Sequence, residues 1–142
     1  MSELRQSLDD YVLQTTDKIR YGDTDKQGHV NNAVFATFLE TGRAEILYDF
    51  MAPLADAGCM FVIANLNIDY LSEMRWPGTA VIGTRIASVG RSSIKIEQGI
   101  FQEDRCTAVA ATTIVQVDGK TGKSCRLSEK SKQYLLSLRN GP

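Results

Sequence analysis

YGDTDKQGHVNNAVFATFLETGRAEILYD, residues 21–49, decides how the rest of the chain is organised. Its first part is polar and turn-prone, carrying Asp23, Asp25, Gly28, His29, Asn31 and Asn32, and His29 is the only histidine in the protein. An apolar pattern at helical spacing follows at once, with Val34, Phe35, Phe38, Leu39, Ile46 and Leu47 on one stripe. A helix start offers backbone N–H groups without intrahelical partners and a partial positive charge, and this loop adds carboxylates and an imidazole beside it. The junction is therefore the candidate active site, and the remaining chain is expected to bury the helix and build a cleft next to it.

Asparagine is a favoured N-cap, so the helix is expected to begin at Asn31 or Asn32 and to run to about Met51, roughly 30 Å. Few positions on it are polar enough for a widely exposed face. Gly42 in mid-helix costs about 1 kcal/mol against alanine, which points to a close approach of neighbouring structure. Pro53 is the expected stop. Upstream, residues 1–10 read as a loose lead-in and residues 11–20 as a first strand rich in β-prone side chains.

Downstream of Gly58 the periodicity changes from helical to alternating. In residues 63–71, Ala64, Leu66, Ile68 and Tyr70 alternate with Asn65, Asn67 and Asp69, which nominates one face for the core. Trp76-Pro77-Gly78 is a turn. Residues 80–89, 92–102 and 106–118 are three further strands joined by hairpin-length connections, with Ile94, Ile96, Gln98 and Ile100 on one face of the middle one. The turn at 118–122 precedes a closing helix over 128–138, capped by Ser128. One sheet folded around one helix buries both economically, so the expected class is α+β, a single domain over 1–142 with its core at about 11–127. The uncovered edges of such a layer predict at least a dimer.

The chain has 142 residues, 43% hydrophobic and 23% charged, with a net charge of −1. Its pI of about 5.8 carries no electrostatic footprint for nucleic acid. No apolar run approaches the ~18–20 residues that span a bilayer, and the N-terminal residues lack a signal-peptide layout, so a cytoplasmic location is expected. Cys59, Cys106 and Cys125 are odd in number and widely spaced. They read as buried free thiols rather than a disulfide framework or zinc site.

The run Asp23-Thr24-Asp25-Lys26-Gln27-Gly28-His29-Val30-Asn31-Asn32, with Phe35, Phe38, Leu39, Glu40 and Arg43 on the following helix, resembles the 4-hydroxybenzoyl-CoA thioesterase-like family of acyl-CoA thioesterases. The resemblance extends over about residues 15–128. It implies the hotdog fold, a curved antiparallel β-sheet wrapped around a long central α-helix, with active sites where two subunits of a homodimer or dimer of dimers meet. It also implies hydrolysis of acyl-CoA to free acid and CoA, with no cofactor and no metal. The family's catalytic carboxylate falls on Asp25, and the backbone amide that polarises the thioester carbonyl falls at Asn32. Gly28 and Val30 fall beside the substrate, and the hairpin contacts to the CoA nucleotide fall on Arg91, Ser92 and Ser93. Some relatives carry the carboxylate on the helix, which makes Glu40 the second candidate for the base.

Thioester hydrolysis needs a nucleophile or base and a donor for the developing oxyanion. A carboxylate can attack directly or deprotonate water, and losing one oxyanion donor costs about 3–4 kcal/mol of barrier. Asp23 is expected to hold the turn, and His29 to hold the loop or touch substrate. Glu40 can pair with Arg43 at i+3. An EF-hand is rejected because Val34 stands where the closing glutamate belongs. Two rivals share the fold: a thioesterase acting on acyl-carrier protein, and a non-catalytic acyl-thioester-binding protein.

Overall fold

A computed structural model describes residues 4–48 and 54–139. The chain runs β1 (Leu13–Lys18), α1 (Asn32–Leu47), β2 (Cys59–Tyr70), β3 (Thr79–Val89), β4 (Ser93–Gln102), β5 (Arg105–Asp118) and α2 (Glu129–Leu136). The strands form one antiparallel sheet in the order β1-β3-β4-β5-β2. It bends around α1 as expected, and register shifts at Ala64 of β2, Ala87 of β3 and Thr107 of β5 mark where the strands kink.

Chain order and spatial order differ at one place. β3 is flanked by β1 and β4, so β2 crosses to the far edge and pairs with β5 instead of its successor. Edge position explains why its expected inward face is only partly realised. Leu66 and Ile68 pack against the core. Ala64 falls at the register shift between Ile63 and Asn65, and Tyr70 is 49% exposed.

Asn31 caps α1, its side-chain oxygen accepting from the Ala33 amide at 3.0 Å. The helix closes at Leu47, short of the expected end near Met51, because Tyr48 leaves helical geometry (φ −124°, ψ 41°) while its amide still reaches Ala44 O. Met51 and Pro53 lie outside the described residues. Two apolar clusters hold α1 to the sheet. Phe38 and Leu39 meet Ile82 and Ile100 at one end, and Ile46 and Leu47 meet Ile96 and Leu135 at the other. Each such side chain contributes roughly 1.5–3 kcal/mol on burial.

A polar layer separates the clusters. Gln98, fully buried, donates to Leu39 O (3.0 Å) and Thr84 Oγ1 (3.1 Å) and accepts from Arg43 Nη1 (3.4 Å). The layer sits beneath Gly42, where a Cβ would come within 2.9 Å of Ile82 Cγ2 and Thr84 Oγ1, so the expected close approach is real.

Ser128 caps α2 by accepting from the Ser131 amide at 3.1 Å, and the buried Leu135 docks the helix. α2 ends at Leu136 rather than 138, and Leu138 O instead accepts from the Ile86 amide at 3.2 Å. The cysteines are free but only partly buried, and Cys59 and Cys125 touch; both facts correct the expectation of separate buried thiols.

Candidate active site

The loop before α1 is locked by its own side chains. Asp23, buried, accepts from the Arg20 amide at 2.8 Å, and its carbonyl accepts from the Asn31 amide at 2.8 Å. It is scaffold, as its turn position suggested. Inside that clamp, Asp25 N donates to His29 O (2.8 Å) and Gly28 N to Asp25 O (3.2 Å). Gly28 makes the reversal at φ +81°, a conformation that glycine adopts without a Cβ penalty. Asp25 Oδ1 accepts from the amides of Gln27 (2.8 Å) and His29 (3.1 Å). One carboxylate oxygen is thus spent on the turn, and Oδ2 accepts no hydrogen bond among the described residues.

The connection between β2 and β3 supplies the second wall. Val30 N donates to Met74 O at 2.8 Å, and His29 bridges to Arg75. His29 Nε2 lies 2.8 Å from Glu73 Oε2. Arg75 donates to Glu73 Oε1 through Nε (3.0 Å) and Nη2 (2.8 Å), and this pairing holds the Glu73 carboxyl below its ordinary range. Gln102 bonds both the amide and the carbonyl of Arg75, which anchors the connection to β4. Tyr70 donates to Asn32 O at 2.9 Å and stands edge-on to Phe35 at 5.2 Å, joining the end of β2 to the first turn of α1.

These walls enclose a cavity of about 260 Å³ lined in part by Asp25, His29, Asn32, Phe35, Tyr70 and Glu73. Val30 also faces it, whereas Gly28 does not. The Asn32 amide, at the first helical position, has no acceptor among the described residues. Asp25, the first residue of α1 and the apolar side chain of Phe35 therefore line one space. No three His, Cys, Asp or Glu side chains among the described residues are grouped to hold a metal.

Glu40 lies elsewhere. It lines a separate cavity of about 220 Å³ with Arg43, Phe61 and Ile63. The expected Glu40–Arg43 ion pair does not form, because Arg43 turns inward, 7% exposed, toward Gln98. Burial lowers the Arg43 pKa, and the Glu40 charge opposes that only through space. Arg91 and Ser92 line a third cavity of about 280 Å³ together with Ser124 and Arg126, while Ser93 simply opens β4. Sequence reasoning misses Glu73 and Arg126, since no spacing rule relates residue 73 to 29 or residue 126 to 91. Tyr70 was assigned to the core face and instead meets the loop.

A family model described as "Thioesterase superfamily" matches residues 27–109. The long-chain acyl-CoA thioesterase FadM of Escherichia coli is 29% identical over 130 residues, 89% of this chain and 98% of that protein. The chloroplastic acyl-acyl carrier protein thioesterase ATL2 of Arabidopsis thaliana is 32% identical over 88 residues, 60% of this chain and 47% of that protein. Among solved structures, the PA5185 protein of Pseudomonas aeruginosa superposes with a TM-score of 0.84 at 22% identity, covering 94% of this chain and 95% of that one. That likeness shows the shared fold.

Proposed function

Because the chain belongs to the thioesterase superfamily and is a thioester hydrolase, we propose that it cleaves acyl-CoA to free acid and CoA, as a single cytoplasmic domain, with Asp25 as the reactive carboxylate. The observation that carries this is the cavity lined by both Asp25 and Asn32, residues whose Oδ2 and backbone amide have no hydrogen-bond partner among the described residues. The thioester carbonyl accepts from the Asn32 N–H, and the helix dipole favours the charge that develops on its oxygen. Asp25 attacks the carbonyl carbon and expels the CoA thiolate, and water then opens the mixed anhydride, releasing the free acid, restoring the Asp25 carboxylate and giving up a proton that leaves CoA as the thiol; in the other course Asp25 takes a proton from the attacking water and returns it to the departing thiolate. Bonding of Oδ1 to two backbone amides fixes the carboxylate plane, so Oδ2 is presented without rotamer search. Glu73 holds the His29 ring against the wall, which makes His29 a positioning residue. Phe35 and Tyr70 offer the acyl group an apolar surface.

The nucleotide pocket is assigned to Arg91, Ser92, Ser124 and Arg126, whose two guanidinium groups suit phosphate oxygens. Along the sheet this pocket lies about 25 Å from Asp25, since the strands rise ~3.3 Å per residue. A homodimer removes that separation. β2 is an edge with Met60 and Ile63 each 50% exposed, and two-fold pairing of such an edge is antiparallel. The start of β2 in one subunit then adjoins the end of β2 in the other, bringing each arginine pocket to the opposite Asp25 cavity.

An acyl-CoA panel assayed by thiol release tests the assignment. Asp25→Asn, which retains the Oδ1 acceptor, lowers kcat by roughly 10²–10⁴-fold with an unchanged fold. Glu40→Gln stays within about 2-fold. Wild-type activity on acyl-carrier protein alone would replace the CoA assignment with the reaction named for ATL2. Thioester binding without turnover would replace catalysis altogether.

A further inference from the structure

Cys59 opens β2, and Cys125 lies in the segment that returns along β5. Cys59 Sγ donates to Cys125 Sγ at 2.9 Å. Backbone bonds hold both sulfurs in place: Cys59 N donates to Asp56 O (2.9 Å), Gly119 N to Gly58 O (2.9 Å) and Cys125 N to Gln116 O (2.8 Å). The buried Gln116 side chain also donates to Cys125 O at 3.3 Å. Donation to its neighbour is the main cause that pushes the Cys59 thiol up to about 11. Cys59 therefore keeps its proton to higher pH than a free thiol. Cys106 is set apart on β5, contacting Ala108 O at 3.5 Å.

We propose that Cys59 and Cys125 are a redox-active dithiol, which a hydroperoxide closes to an intramolecular disulfide, locking the wall of the arginine-lined pocket formed by Ser124 and Arg126. The thiolate of one of the two cysteines attacks a peroxide oxygen and breaks the O–O bond, forming its sulfenic acid; protonated, the leaving oxygen departs as water. The sulfur of the other cysteine, in contact at 2.9 Å, then attacks the oxidised sulfur and loses its proton, and the sulfenic oxygen departs as a second water. Two thiols and one hydrogen peroxide become one disulfide and two waters, with two electrons passing from the sulfurs to the peroxide. A small-molecule thiol reverses the step by exchange.

The full-length reduced protein is treated with stoichiometric hydrogen peroxide at neutral pH. Expected are an intact-mass loss of two hydrogens, a fall from three titratable thiols to one, and a linked peptide pair containing Cys59 and Cys125. Cys106→Ser forms the same link. Cys59→Ser and Cys125→Ser each abolish the link, and the cysteine left without its partner is trapped as a dimedone adduct of its sulfenic acid. Closing a loop of this size raises Tm by roughly 5–15 °C. The amides of Cys125 and Leu127, bonded to Gln116 O and Arg91 O, exchange more slowly once oxidised. Persistence of all three thiols, linkage through Cys106, or a link between subunits overturns the dithiol. Unchanged amide exchange in the linked protein overturns the locking. None of these readouts involves thioester hydrolysis.

Discussion

At the scale of single residues, the proposed mechanism divides labour between side chain and backbone. On the proposed mechanism Asn32 acts through its amide, and its position permits a clean deletion of that group. Proline is accommodated at the first helical position, where the N–H has no intrahelical acceptor. The preceding Asn31, at φ −60° and ψ 137°, already has the conformation that a following proline requires. Asn32→Pro is expected to leave Tm within a few degrees and lower kcat by roughly 10²–10³-fold, read by steady-state kinetics beside thermal unfolding. A mutant that melts normally and turns over at the wild-type rate would remove Asn32 from the mechanism. Glu73 offers a second test. Arg75 lowers its pKa, so the pairing is present at neutral pH and is lost as pH falls through that lowered value. Arg75→Ala should return the Glu73 carboxyl toward the ordinary glutamate range, visible in a carbon NMR titration of the side-chain carboxyl.

At the scale of elements, α1 is tuned to lie close to the sheet at its centre. Gly42→Ala would gain about 1 kcal/mol of helix propensity but force a methyl against Ile82 and Thr84. Gln98 cannot yield freely, because its amide is bonded to Leu39 O and Thr84. The net expectation is a loss of about 1–2 kcal/mol in urea unfolding. Asn31→Ala should cost about 1 kcal/mol through its lost cap. Both element type and order were legible because they rest on local periodicity: the alternation from Ile94 to Ile100 marks an inward face whose every member is buried. The limits of α1 and the inward face of β2 were less so. Tyr48 leaves the helix without a proline or glycine signal, and the pattern of β2 contains no mark of its edge position.

At the scale of the whole molecule, the proposed homodimer is tested at the exposed apolar edge of β2. Ile63→Lys should shift the protein to monomer in sedimentation, with a fall in acyl-CoA hydrolysis that tracks the monomer fraction. Arg126→Ala should raise KM about 10-fold with kcat held within about 2-fold, because it removes contacts equal in ground and transition states. A fall in kcat alone would detach the arginine pocket from substrate binding.

What the sequence determined by itself is local: the helix start at Asn31-Asn32, the glycine reversal at Gly28, the scaffold role of Asp23, and the strands that follow Gly58. Each depends on residues a few positions apart, whose backbone preferences act before any long-range contact exists. Only the tertiary structure decided that β2 lies beside β5, that Glu73 meets His29, that Arg43 leaves Glu40 for Gln98, and that Cys59 touches Cys125. Those partners are brought together by the sheet's strand order, a property of how all five strands share hydrogen bonds and one core. The residues that pair across it carry no trace of that order in their own neighbourhoods.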